Sequence, residues 1–452
     1  MVDSRRTKSW RRKGCGEDYQ PPPEAQEKAP LPPEAEAARN TITLSLIEPI
    51  GRRAAAVFLG HEDYEKLRGT YSFLMASLYM EALPRLVEEL GGHVVMAMQF
   101  NGVALNAVYD RVTLDGKDRQ FALVGHIFIC LPGERVVVSA EPAEPAARPA
   151  LHLTVRSSLS PGAFLNLWRT FTREHNYLRG RAFFADGTLI ERKHRFTWDD
   201  ILLAEDVKLA VKTHVDGFLR HRVCLARLGV KSHRGLILEG PPGTGKTLLG
   251  KVLASTMEDT SFVWVSPRHI EGPRSFEDIL EVARFVSPAV VFLEDLDLFA
   301  EDRDVRGGMV LGELMNQLDG AAENDGIITI ATTNRLGVVE KALRNRPGRF
   351  DRVLHVAEME ERCRRLLIER LLAKARISPE DVSRLVSASD GYTGAQVEEL
   401  VNTLYILAVN RHGYASGNGD GQPSVTIDSP LIAAALEEFK VELKARVGFH
   451  RA

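Results

Sequence analysis

Cysteine is scarce and scattered: Cys15, Cys130, Cys224 and Cys363 are the only four in 452 residues, and no two form a CxxC pair. That spacing excludes a disulfide framework and a cysteine-held zinc site, so the thiols are expected to be reduced and to serve in packing. Long apolar runs are missing too. Nothing reaches the roughly eighteen residues that a membrane-spanning helix needs. Charge of one sign is not in excess; the net value of −3 lacks the strongly basic field of a dedicated nucleic-acid binder. Paired arginines stand near the start, but no apolar stretch follows them, which argues against a secretory signal. No HExxH protease motif occurs. The expectation is a soluble, cytoplasmic protein with no transmembrane segment.

The length implies two or three domains plus tails. Residues 1–40 are expected to be a disordered tail, in which Arg5, Arg6, Lys8, Arg11, Arg12 and Lys13 surround Trp10, followed by prolines at 21–23 and an acidic, Ala-rich run. Residues 41–195 read as an α+β domain, although two smaller ones fit as well. Strand-like runs at 41–46 and 93–100 flank a helical pattern over about 63–90, with Leu67, Tyr71, Leu74, Leu78, Leu86 and Leu90 on one face and a kink expected at Pro84. Asn101-Gly102 predicts a tight hairpin, and Pro132-Gly133 joins two further strands. None of these segments carries recognisable chemistry, so this domain is assigned to binding a protein client or partner.

From residue 196 short buried-strand runs alternate with amphipathic helices, predicting an α/β domain with a mainly parallel sheet over 196–357. Beyond 358 helical patterns predominate, predicting a small helical lid over 358–452, interrupted by a flexible loop at 413–424. The sequence GPPGTGKT at 240–247 lies between the strand-like run 235–238 and the helical run 248–257, the context that a phosphate-binding loop requires. Gly240, Gly243 and Gly245 let backbone N–H groups turn toward phosphates, with Pro241, Pro242, Thr244 and Leu248 completing the loop and the helix N-terminus adding a favourable dipole. Lys246 is positioned to reach the β and γ phosphates of ATP, and Thr247 to offer its hydroxyl to Mg²⁺. The strand-like run 289–293 ends in Glu294 and Asp295, carboxylates at the strand end that faces a ligand crevice. One is assigned to Mg²⁺ and the next to polarising the attacking water.

GPPGTGKT, VVFLEDLD, IATTNR at 330–335 and RPGRFDR at 346–352 together resemble the AAA family of AAA+ ATPases, over roughly residues 196–447. WDDI at 198–201 resembles the family's lead-in segment over adenine, LMNQLDG at 314–320 its inter-subunit signalling segment, and GYTGAQ at 391–396 the turn where the lid meets nucleotide, bringing in Gly394 and Ala395. The resemblance implies an α/β P-loop module with a helical lid, hydrolysis of ATP with Mg²⁺, Asn334 as the sensor of lytic water, and Arg346 with Arg349 as arginine fingers offered to a neighbour in a hexameric ring.

Three departures qualify it. The acids run Glu294 then Asp295, where Asp-Glu is commoner; this order implies Glu294 on the metal and the shorter Asp295 as base. The interval 266–274, SPRHIEGPR, is shorter than the segment that grips threaded chains in related rings, and lacks its aromatic; His269 and Ile270 are weak substitutes. ALRNRPGRFDR carries one extra residue before the fingers. Three functions therefore stay open: a ring-forming remodeller of protein complexes, a nucleotide-gated scaffold with slow hydrolysis, and, resting only on the basic tail, a nucleic-acid remodeller.

Overall fold

The computed structural model describes residues 51–60, 65–100, 104–143, 150–190, 195–231, 233–257, 259–270, 272, 275–301, 312–314, 316–318, 324–343, 350–412, 415–416 and 423–449. The predicted tail 1–40, the strand-like run 41–46 and the Asn101-Gly102 turn lie outside them.

The first layer is an antiparallel sheet. Helix α1 (Gly51–Leu59) precedes strand β1 (Lys66–Ser72), helix α2 (Phe73–Glu89), and strands β2 (His93–Phe100), β3 (Ala104–Asn106), β4 (Val108–Leu114), β5 (Lys117–Leu131), β6 (Glu134–Pro142) and β7 (Ala150–Ser157). The strand order is β1-β7-β6-β5-β2-β3, with β4 added on β5. The expected helix over 63–90 is corrected here: it starts only at Phe73. Ser72 both ends β1 and accepts the Met75 amide at its hydroxyl as N-cap. Leu67 and Tyr71 belong to β1, paired with Val155 and Leu151. Their spacing of four satisfies both a helix face and a strand face, which is why the apolar stripe concealed the boundary. Helix α2 runs on through Pro84 and, with α3 (Pro161–His175), covers one face of this sheet; α1 covers part of the other.

The second layer is a six-stranded parallel sheet. It comprises β8 (Ala182–Phe184), β9 (His233–Glu239), β10 (Ser261–Val265), β11 (Ala289–Leu293), β12 (Ile327–Thr333) and β13 (Arg352–His355) in the order β13-β9-β12-β11-β10-β8. Intervening helices are α4 (Glu205–Val211), α5 (Phe218–Arg227), α6 (Lys246–Thr256), α7 (Ser275–Phe285), α8 (Leu296–Glu301) and α9 (Leu336–Leu343). Every residue of β10, β11 and β12 is buried, the pattern of strands covered on both faces. Strand β8 comes from upstream of residue 196 yet pairs in parallel with β10, Phe183 opposite Val263. The boundary drawn at 195/196 therefore does not follow the sheet.

The two layers share a core. One continuous apolar cluster joins Leu78, Leu83 and Trp168 of the antiparallel layer to Phe276, Leu280, Val263 and Leu293 of the parallel one. At the seam the Tyr79 ring lies 5.1 Å from that of Trp168 and 5.6 Å from that of Phe285 on α7. Tyr79→Ala, deleting a fully buried ring, is expected to cost about 3–5 kcal/mol. Urea unfolding followed by fluorescence should then resolve two transitions where the parent shows a merged one.

Past β13 come α10 (Glu361–Leu371), β14 (Ala375–Arg376), α11 (Pro379–Ala388), α12 (Gly394–His412), β15 (Ala415–Ser416), β16 (Pro423–Thr426) and α13 (Ser429–Phe449). The helices enclose their own apolar cluster around Ile368, Leu385, Leu400 and Ile432. The lid is not helical throughout: β14, β16 and β15 form a small sheet, and parts of the expected loop 413–424 pair as β15 and β16. Only two to four residues of each strand are used, too few for a period to register in the sequence.

Candidate functional site

A cavity of about 480 Å³ lies at the C-terminal ends of β9, β11 and β12, beneath the start of α12. Its floor is the loop between β9 and α6. Gly243 adopts φ +82° and Gly245 φ +96°, left-handed conformations that a side chain would strain. Lys246 and Thr247 open α6, so the N–H groups of its first turn face the cavity. Of the loop residues singled out by sequence, Pro242, Gly243, Thr244, Gly245, Lys246, Thr247 and Leu248 line the cavity. Gly240 and Pro241 act from behind, their carbonyls accepting hydrogen bonds of 2.7 and 2.8 Å from Lys246 Nζ. Lys246 as a whole residue is 7% exposed. Burial pulls its pKa down, while the charges of Asp295, Glu239 and Asp297 pull it back up.

The two acids at the end of β11 part company. Asp295 lines the cavity with Thr332 and Asn334. Its backbone is left-handed at φ +52°, a strained state for a non-glycine residue, held by its amide donating to Thr332 Oγ1 at 3.0 Å. Asn334 Nδ2 lies 3.5 Å from Asp295 Oδ1. Burial raises the Asp295 pKa, and the neighbouring Asp297 and Glu294 raise it further. Glu294 does not line the cavity; its Oε2 accepts the Trp264 indole N–H at 2.9 Å. The metal-side role expected of Glu294 is thus not matched by its placement: β11 ends at Leu293, the backbone turns left-handed at Asp295, and the Glu294 carboxylate is taken up by Trp264 of β10.

Three further residues shape the site. Asp297, 2% exposed, accepts the Thr333 hydroxyl at 2.9 Å and the Asn334 amide at 3.2 Å, fixing the turn that presents Asn334. Its sequence signal was there, a third acid in the same run, but no role attached to it. Trp264 and Thr332 gave none, since a buried aromatic and a buried threonine read simply as strand. From the other side the lid closes directly on the loop, with the Ala395 amide donating to the Gly243 carbonyl at 3.2 Å. Gly394, Ala395 and Glu398 complete the lining, and Asp200 and Ile201 of the WDDI segment enter at the edge. Arg346 and Arg349 lie outside the described residues.

A Cβ on Gly243 would stand 2.8 Å from Ala395 Cβ and 3.0 Å from Thr393 Oγ1. Gly243→Ala therefore combines left-handed strain with displacement of the lid. Titration with a fluorescent ATP analogue is expected to show affinity reduced about tenfold or more, equivalent to about 1.4 kcal/mol or more.

The groups suit a polyphosphate with its cation: an exposed Thr247 hydroxyl at the helix start for a hard divalent ion, a buried ammonium for phosphate oxygens, and the Asp295 carboxylate on the same cavity, free for an attacking water. A parallel sheet, a glycine loop running into a helix, and an acid at the end of a nearby strand define a P-loop nucleotide-binding module. More narrowly, residues 236–358 match the family model described as "ATPase family associated with various cellular activities (AAA)", so this segment is an AAA module.

Curated relatives include "ATP-dependent zinc metalloprotease FtsH 3" of Symbiobacterium thermophilum, 35% identical over 233 residues, 48% of this chain and 37% of the relative. "Protein SAV" of Sulfolobus acidocaldarius is 30% identical over 261 residues, 55% of this chain and 32% of that protein. The chain thus spans about a third of the length of these relatives. Among solved structures, the FIGL-1 AAA domain in complex with ADP covers 57% of this chain and 91% of its own at 23% identity, with a TM-score of 0.45. No helix among the described residues is long and apolar enough to cross a membrane.

Proposed function

We propose that this chain binds Mg²⁺-ATP in the cavity beneath α12 and hydrolyses it, working in a hexameric ring that remodels a protein partner held by residues 41–195. The observation that carries the reading is the convergence of Lys246, Thr247, Asp295 and Asn334 on one cavity closed by the lid. ATP phosphates fit against the amides at the start of α6, with Lys246 moving from its own loop carbonyls to the β and γ oxygens. Mg²⁺, held at Thr247, would offset phosphate charge. Asp295 orients and deprotonates the attacking water, while Asn334 holds that water from the other side. Arg346 and Arg349 are proposed to reach a neighbouring subunit's γ-phosphate, making hydrolysis depend on assembly.

The scaffold reading draws support from a different feature. Where threading rings project a gripping loop, Pro267–His269 forms a short 3₁₀ turn packed on β8. His269 Nδ1 accepts the Ser266 amide at 3.0 Å, its ring lies 5.8 Å from that of Phe184, and Arg268 sits 5.0 Å over the same ring. This segment is tied to the sheet edge, which counts against threading through a pore and favours a ring whose nucleotide gates assembly. ATP turnover measured with light scattering across protein concentration tests the whole reading. Turnover rising steeply with hexamer formation supports the ATPase ring. A hexamer that binds ATP but turns it over no faster than its Asp295→Asn variant would leave the scaffold alone.

A further inference from the structure

A cavity larger than the nucleotide site lies away from it. It is an open cleft of about 910 Å³ between the β4–β5 hairpin, the start of α2 and the segment that carries β8. Phe73 and the half-buried Tyr177 supply aromatic walls, and Phe73 is 43% exposed. The lining charges are uneven in their pairing. Arg181 is held by Asp115 through two bonds of 2.9 and 3.2 Å, and Arg111 lies 3.7 Å from Asp118. Asp110 and Asp186 accept only the backbone amides of Arg111 and Thr188, and neither forms an ion pair with a lysine or arginine among the described residues. The cleft therefore offers aromatic faces beside two carboxylates that lack a cation.

The sequence holds a matching element that the nucleotide site does not use. Residues 5–13, RRTKSWRRK, place six cationic side chains around Trp10. We propose that this segment docks in the cleft of its own chain, with Trp10 against the aromatic walls and flanking arginines on Asp110 and Asp186. Guanidinium groups stack on aromatic faces and bind carboxylates in two-pronged fashion, so both features of the segment find a counterpart. The tether permits it. Residues 14–50 separate the segment from α1, and 37 residues reach at most about 120–130 Å. Intramolecular docking also carries an effective concentration of about millimolar order, enough for a surface pairing that would be weak between separate molecules. The cleft abuts β8, so docking there places the segment beside the edge strand of the nucleotide sheet.

Cys15 lies two residues past Lys13 and provides a native probe. Thr188 is exposed on the cleft wall. In the full chain carrying Thr188→Cys and Cys224→Ser, mild oxidation followed by peptide mass spectrometry reads the rate at which Cys15 bonds to the thiol introduced on the cleft wall. A control chain carries Val223→Cys, at an exposed site on α5, in place of Thr188→Cys. Docking predicts an intrachain bond forming at least about tenfold faster in the first chain than in the control. Asp110→Lys with Asp186→Lys should remove that advantage. Adding Arg5→Glu, Arg6→Glu, Arg11→Glu and Arg12→Glu to the same chain should restore it, a rescue that a misfolded cleft could not give. Equal rates in the Thr188→Cys and control chains, loss without rescue, or bonds formed only between two chains would each overturn the proposal. ATP turnover does not enter the measurement, so its outcome is independent of the proposed function.

Discussion

Replacing Lys246 by Ala is expected to reduce ATP turnover to background and to weaken ATP binding by about 100-fold or more, the scale on which pre-aimed charged donors act in a water-poor site. The ammonium is the only cation lining the cavity among the described residues. It is held in place by the carbonyls of Gly240 and Pro241, so losing it removes the charge that meets the phosphates without removing a wall. Stability separates this from unfolding. Burial pulls the Lys246 pKa below its usual value, so below that lowered pKa the folded state carries a cost that the unfolded chain does not. The alanine variant loses that cost. Its ligand-free melting temperature at neutral pH is expected to match or exceed the parent's, and a clear fall would mean that the lysine had been structural.

Asp295→Asn is expected to slow hydrolysis by about 100-fold or more while leaving ATP binding nearly intact, as when a general base is removed from a site whose binding groups stay in place. A turnover equal to the parent's would remove Asp295 from the mechanism. The same variant has a second readout. The folded-state pKa of Asp295 is raised, first by burial and then by Asp297 and Glu294. A raised carboxyl contributes stability that is fully present below its unfolded value near 3.8 and is lost as pH climbs through the raised value. Above that window the ionised form costs stability, and the neutral amide does not. The variant's melting temperature at pH 7 should exceed the parent's, with the gap narrowing as pH falls into the window. An Asp295 exposed to water would show no gap.

Where a residue's chemistry is local, the sequence disclosed it. The glycines, Lys246 and Thr247 must lie adjacent for backbone amides to wrap a phosphate, so eight consecutive letters carry that geometry. Asp295 was legible because it follows a buried strand, and strand ends in an open parallel sheet face the crevice, whereas Asn334 entered only through the resemblance carried by IATTNR. Whether Glu294 or Asp295 turns inward was not legible. That depends on the strained turn at Asp295 and on Trp264 standing across the sheet to receive Glu294, a pairing thirty residues apart. The parallel sheet was read as starting at 196 because β8 is only three residues long and its partner strand follows nearly eighty residues later. The seam around Tyr79 and Phe285 was hidden for a related reason, since an apolar face toward a second domain looks the same in sequence as one toward its own core.

Strand β8 also decides how the molecule can be divided. A fragment begun at residue 196, where the nucleotide module starts by motif, would leave β10 with its whole outer edge unpaired. Phe262, Val263 and Trp264 on that strand are at most 7% exposed in the intact chain. Such a bare, apolar edge recruits other strands. The module begun at 196 is expected to pair through β10 and to run larger in size-exclusion chromatography than one begun ahead of Ala182, compared at equal concentration. In this protein the nucleotide sheet borrows its selvedge from residues that precede every one of its motifs.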